Sequence, residues 1–204
     1  MYFAKSVIGI FIALLLLASA GIAYAMWSET LKVNVTVNTG EVDVEWSSWE
    51  CNDTGIDPGY DKDVGKCSVS DETQDEEGDV IKLNITLDNA YPSYNVTILG
   101  EVDNIGTIPV EPVKFFIDNN ANGEFDSGDT EIVLCNDYAL DLDGDSKADL
   151  DFHMYLYDDS GDGTQIDPDE SDIYGFIIHV KQNAKELKTY TFHVVMVFGQ
   201  WNEA

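Results

Sequence analysis

Residues 31–46 confine this chain to β-structure more tightly than any other stretch. In LKVNVTVN, Leu31, Val33, Val35 and Val37 are apolar while Lys32, Asn34, Thr36 and Asn38 are polar, the period of two expected of a strand with one buried face. Asn38-Thr39-Gly40 supplies a turn, after which Val42, Val44 and Trp46 alternate with Glu41, Asp43 and Glu45. The spacing predicts a hairpin whose strands share an apolar face. Ahead of it, Met26, Trp27, Ser28, Glu29 and Thr30 form a short extension with one large aromatic and no partner inside the hairpin. These five residues are the candidate strand for donation to another molecule.

The same alternation returns downstream. Strands are predicted at 80–87, 94–102, 113–117, 131–135, 150–157, 173–181 and 189–201, the last two joined through Asn183-Ala184-Lys185-Glu186 as a hairpin. Residues 47–78 are rich in Asp, Glu, Gly and Ser with little periodicity, and read as a long loop or insertion. No amphipathic helix follows the leader. A series of short strands with turn residues between them predicts an all-β domain over 26–204, an antiparallel β-sandwich of jelly-roll type. A domain of about 180 residues, the part of the 204-residue chain after the leader, is long enough to close one real core.

Residues 1–25 have the layout of an export signal: Lys5, an apolar run over 7–18, and Ala23-Tyr24-Ala25 as a small-x-small cleavage site. The competing readings are a retained anchor of about 20 apolar residues and a type IV-like pilin helix beginning after Lys5-Ser6. Three cysteines suit an oxidising compartment with one disulfide and one thiol. Cys51 and Cys67 bracket an acidic loop and are the expected pair. Cys135 alternates with Val133 and is expected as a small buried hydrophobe. Four Asn-x-Ser/Thr sequons, at Asn34, Asn52, Asn84 and Asn95, fall on polar strand faces or in a loop, where a glycan is tolerated.

Charge narrows the partners. Asp and Glu number 39 against 10 Lys and no Arg, a formal net charge of -29. Nucleic acid is excluded, because affinity for it comes from cations that neutralise phosphates. Clustered carboxylates attract cations instead. In residues 118–129, Asp118, Asn120, Asn122, Glu124, Asp126 and Asp129 hold positions 1, 3, 5, 7, 9 and 12 of an EF-type calcium loop, with Gly123 at position 6. Asp129 stands where a full EF-hand carries Glu, and the predicted flanks are strands. Asp141, Asp143, Asp145 and Asp149 repeat the 1, 3, 5, 9 spacing, which looks like the calcium loops of β-propeller surface repeats. Asp158, Ser160, Asp162 and Asp169 form a looser third match. Calcium takes six to eight oxygens, and closely spaced Asp and Asn on a Gly-containing turn supply them.

No catalytic pattern emerges. His153, His179 and His193 are the only histidines, and none forms His-Glu-x-x-His or lies at zinc spacing from a cysteine. Gly-x-Ser-x-Gly and phosphate-binding loops are absent. A hairpin over 173–201 would set His179 and His193 opposite each other as a structural pair.

AYAMWSET at the end of the leader, NTGEVDV after the first strand, NIGTIPVEPVKF and the ending TYTFHVVMVFGQWN together resemble the TasA and camelysin-like exported proteins, especially archaeal surface-filament subunits. The resemblance covers most of residues 20–201. It implies a jelly-roll subunit that polymerises by donor-strand complementation. The function expected is therefore a structural subunit of an extracellular filament at the cell surface, growing head-to-tail from its own copies and without enzymatic activity. Membrane contact would be through the leader alone. The alternatives are a type IV-like pilin, a membrane-anchored calcium-binding adhesin, and, since camelysin-like relatives are classed as metallopeptidases, a peptidase without a recognisable zinc motif.

Overall fold

A computed structural model describes residues 2–25, 32–53, 55–75, 78–158, 161 and 163–202. The chain divides into two units, Met1–Thr39 and Gly40–Ala204. The first unit contains helix α1, Tyr2–Ala25, about 36 Å long at ~1.5 Å per residue. Its side chains are described over 6–19, and among the described residues no helix is long and apolar enough to cross a membrane. Residues 32–39 have no regular structure, and Val33, Val35 and Val37 are 84%, 76% and 77% exposed. The expected hairpin is therefore not formed. Alternation alone makes no ladder, and the segment that was to pair with 32–38 takes its partner elsewhere. The candidate donor residues Met26, Trp27, Ser28, Glu29 and Thr30 lie outside the described residues.

The second unit is all-β. Its strands are β1 (Val44–Cys51), β2 (Lys66–Gln74), β3 (Val80–Asp88), β4 (Asn95–Asn104), β5 (Val110–Asp118), β6 (Thr130–Ile132), β7 (Asp137–Leu140), β8 (Leu150–Asp158), β9 (Ser171–Val180) and β10 (His193–Gln200). They form a five-stranded sheet, β1-β4-β9-β8-β7, a three-stranded sheet, β10-β5-β6, and the pair β2-β3. Every pairing is antiparallel. The inner face of the five-stranded sheet carries Val96, Ile98, Phe152, Met154, Tyr174, Phe176 and Ile178, which pack in one core with Phe115, Ile117 and Ile132 of the three-stranded sheet. Val194, Met196 and Phe198 of β10 close the same core from its edge. The result is sandwich-like, with alternate residues of each strand facing inward.

Tertiary pairing redraws several boundaries. The acidic stretch 47–78 is not one loop: β1 runs on to Cys51, β2 occupies 66–74, and only the residues between them connect. Its periodicity is faint because β2 is exposed on both faces beyond Val69. The disulfide Cys51–Cys67 is formed, with Cα atoms 6.3 Å apart, and ties β1 to β2. The strand expected over 131–135 stops at Ile132. Cys135 sits in a left-handed turn (φ 65°), sends its N–H to Met154 O at 2.8 Å, and is an exposed thiol, not a buried hydrophobe. β9 and β10 form no hairpin either, since β10 pairs with β5 in the other sheet. His193 consequently stands opposite Asp118, far in register from His179.

The start of β1 is clamped to the β4–β5 connection. Thr107 N–H donates to Glu41 O at 3.0 Å, Glu41 N–H to Thr107 Oγ1 at 2.9 Å, and the N–H groups of Ile105 and Gly106 to Asp43 O at 3.2 Å each. Buried Asn104 supports the turn by accepting from Gly106 N–H and donating to Ile108 O and Ile166 O. A Cβ at Gly106 would lie 2.6 Å from Glu41 O and 2.8 Å from Asp43 N, backbone atoms that cannot swing aside. Gly106→Ala is therefore expected to lower stability by about 1–3 kcal/mol through overpacking. Urea unfolding measures it; an unchanged midpoint would show that the clamp is dispensable.

Candidate functional site

The loop 118–129 joins β5 to β6 and is organised by its first residue. Asp118 is 2% exposed. Its Oδ1 accepts the N–H of Asn120 (3.1 Å) and Ala121 (2.7 Å), and its Oδ2 that of Gly123 (2.7 Å). Burial by itself would raise its pKa, but the bonds from Gly123, Ala121, Asn120 and Asn122 outweigh it and hold the carboxyl below the usual range. Ala121 and Gly123 take left-handed φ of 58° and 79° to wrap the backbone around that carboxylate. The side-chain amides of Asn120 and Asn122 both donate to Asp126 Oδ2, at 2.7 and 3.3 Å. A half-turn of either amide would present its oxygen to the same point. Asp126 Oδ1 accepts from Gly128 N–H, and Asp129 closes the loop by accepting from the N–H of Asn119 and Asp126. Glu124 is exposed and donates its N–H to Asn122 Oδ1. Phe125 folds back so that its ring meets buried Phe116 edge-on, with centroids 5.3 Å apart, and Lys114 Nζ lies 4.2 Å above it. The loop is thus pinned to the sheet by an aromatic contact as well as by hydrogen bonds.

The loop 141–149 joins β7 to β8. One carboxylate oxygen from each of Asp141, Asp143 and Asp149 lies within 4.8 Å of the others, a spacing that oxygens around one calcium at 2.3–2.6 Å can share. Asp149 is 1% exposed and accepts Leu142 N–H, while Asp141 accepts the N–H of Gly144 and Ser146. Lys185 enters this loop from the β9–β10 connection, with its ammonium bonded to Asp143 Oδ2 and 3.4 Å from Asp145 Oδ2. The contact lowers the pKa of Asp143 and raises that of Lys185. Asp145 thereby joins the lysine, not the three-carboxylate group.

Residues distant in sequence form a further acidic group. Asp43, Asp75 and Asp79 bring one oxygen each within 4.8 Å of one another at the β2–β3 turn. Burial, then Asp75 and Asp43, push the Asp79 carboxyl up. Neither Lys185 nor this group has a local signal in the sequence, since the spacing that unites them exists only after folding. Of the loosest match, Asp158 ends β8 and Asp169 takes a left-handed φ of 67° with its N–H on Asn104 O, while Ser160 and Asp162 lie outside the described residues.

Beside the disulfide, Asp53 and Asp57 are buried under three tyrosines. Asp57 takes N–H bonds from Val64 and Gly65 and the Tyr91 hydroxyl at 2.7 Å. These bonds overcome burial and hold it low, whereas burial and then Asp57 push Tyr91 up to about 12. The Tyr94 hydroxyl bonds Asp53 Oδ2. The sequon residues Asn34, Asn52, Asn84 and Asn95 are all exposed, although Asn52 Oδ1 already accepts Thr97 N–H at 3.0 Å. Comparison with protein-family models, with curated proteins and with solved structures finds no match.

The lowered pKa of Asp118 fixes the sign of one pH effect. A carboxyl with a depressed folded value contributes stability that is present above its unfolded value, near 3.8, and is lost as pH falls through the lower folded value. Acid unfolding of the chain should therefore steepen below about pH 4, and Asp118→Ala should be less stable at neutral pH with a flatter acid limb. Chemical unfolding at a series of pH values measures both slopes; parallel curves would remove Asp118 from the acid response.

Proposed function

We propose that the chain is the structural subunit of an extracellular, cell-surface filament, in which the segment after the leader leaves its own subunit and completes the sandwich of the next. The observation that carries this reading is residues 32–38, an alternating strand sequence whose valines are exposed and whose backbone joins no ladder. A suitable receiver is present in the second unit. Among the described residues β10 is bonded on one side only, to β5, so its outer edge offers backbone groups next to apolar Val194, Met196 and Phe198. A strand supplied by a neighbour satisfies those groups and buries its own valines, at about 1.5–3 kcal/mol for each side chain fully buried. Such a contact is head-to-tail and does not close, so it propagates. With the added strand the sandwich takes the jelly-roll form that the resemblance implies. The donor comprises Met26 to Thr30, with Trp27 as anchor, and continues into the exposed alternating segment. No catalytic role enters this reading, and exposed sequons accord with an exported glycoprotein.

Deletion of residues 26–38 should yield folded subunits that do not polymerise, and a peptide of that sequence should bind them. Electron microscopy and sedimentation read the outcome. Normal filaments from the shortened chain would end the strand-donation reading. The α1 helix is common to the leading reading and to the alternatives, a type IV-like pilin or a membrane-anchored adhesin. Sequencing the mature N-terminus separates them: Met26 is expected, whereas Val7 or an intact Met1 would transfer the proposal to the pilin or the anchor.

Calcium is the ion proposed for the loops 118–129 and 141–149: the first has the ligand spacing of an EF-type loop, and in the second one oxygen each from Asp141, Asp143 and Asp149 lies within 4.8 Å of the others. Binding to the folded state alone stabilises by RT ln(1 + [L]/Kd), about 2.7 kcal/mol at a hundredfold excess over Kd. Melting should rise with calcium and fall with chelator, and Asp118→Ala combined with Asp141→Ala should remove the response. Lys185→Gln should strengthen binding at the second loop, because calcium then no longer displaces an ammonium from Asp143. Equal melting temperatures in calcium and chelator would discard the calcium assignment.

A further inference from the structure

The outer face of the five-stranded sheet carries a groove of about 760 Å³ that the filament reading does not use. Two of the three histidines meet there. Register places Asp137 opposite His153, and Asp151 opposite His179, with Ile177 opposite His153. Odd-numbered positions of β8 and β9 face away from the core. His153 and His179 are therefore diagonal neighbours on one face of adjacent strands, a separation of roughly 7–8 Å between Cα atoms that long side chains bridge.

Both imidazoles turn the same nitrogen toward a carboxylate. His153 Nδ1 is hydrogen-bonded to Asp137 Oδ1 at 2.9 Å, whereas His179 Nδ1 stands 3.5 Å from Asp151 Oδ2, an ion-pair distance without a hydrogen bond. Asp151 is itself oriented by Lys181, whose ammonium donates to its two oxygens at 2.9 and 2.8 Å. The carboxylate bonded at His153 Nδ1 selects the tautomer with its proton there and leaves the Nε2 lone pair to a ligand, and the Asp151 charge beside His179 Nδ1 favours the same tautomer. That arrangement, carboxylate to imidazole to open Nε2, is the one that orients histidines on metal ions and raises their basicity.

From this geometry we infer a transition-metal site, distinct from the oxygen-rich loops, in which Nε2 of His153 and Nε2 of His179 bind one divalent ion of the zinc or copper class. Imidazole nitrogen suits these ions and is a poor ligand for calcium. Water completes the coordination from the open groove. Asp137 and Asp151 are positioning residues: they do not touch the ion but fix the rings and add negative potential around it. The site is independent of strand donation, because β7, β8 and β9 belong to a different sheet from β10.

The full chain, in excess calcium so that the acidic loops are occupied, should bind one Zn²⁺ per chain by calorimetry. His153→Gln and His179→Gln should each weaken binding at least tenfold, Asp151→Asn about 10- to 100-fold, and His193→Gln should leave it unchanged. Cu²⁺ bound to the wild-type chain should show nitrogen hyperfine coupling from two imidazoles in its electron paramagnetic resonance spectrum, a readout that needs no variant to fold. Wild-type Zn²⁺ affinity in either groove variant, loss of binding in His193→Gln, or a copper spectrum without two nitrogens would overturn the site.

Discussion

The antiparallel ladder between β4 and β9 is the interaction on which the second unit depends. It runs without a bulge from Asn95↔His179 to Asp103↔Ser171, and it holds together two strands whose even-numbered residues are all buried. β1 adds to one side of it and β8 to the other. Because side chains alternate faces, this one register directs Val96, Ile98, Tyr174, Phe176 and Ile178 into the core and sets His179 outside, beside Asn95. A slip of one residue would exchange the two sets and leave no core.

Carboxylate abundance imposes the second constraint. At a net charge of -29, counter-charges from lysine are too few to match the acids, so the buried ones are met by backbone N–H groups and hydroxyls. Asp118 collects three backbone donors, Asp57 two plus a tyrosine, and Asp149 one. The bonds to Asp118 and Asp57 hold those two carboxyls below the usual range although they are buried. Lys185 is a contrasting solution, a built-in cation supplied from another connection to Asp143. Phe125 serves the first loop differently, giving a polar loop an apolar foothold on Phe116.

Two faces of the sandwich thus have separate chemistry. The β10 edge presents backbone and apolar side chains, which suits a strand. The β7–β8–β9 outer face presents imidazoles backed by carboxylates. The proposed strand donation and the proposed nitrogen-donor metal site would therefore draw on different sheets and on no common residue.

The sequence by itself determined the β class, most strand positions from 80 onward, the Cys51–Cys67 pair and the ligand spacing of the loops at 118 and 141, because all of these follow from period-two alternation or from residues close together in the chain. Only tertiary structure decided which strand pairs with which. Alternation at 32–38 is as regular as in β4, yet β4 has ladder partners on both sides and 32–38 has none among the described residues. The 173–201 segment looks like a hairpin, but β9 and β10 enter different sheets. That parting moves His193 to Asp118 and brings His153 to His179 instead. The Asp43, Asp75 and Asp79 group and the Lys185 contact were invisible for the same reason: ladder bonds form between any two extended edges, and nothing local in the sequence says which pair buries the most apolar surface.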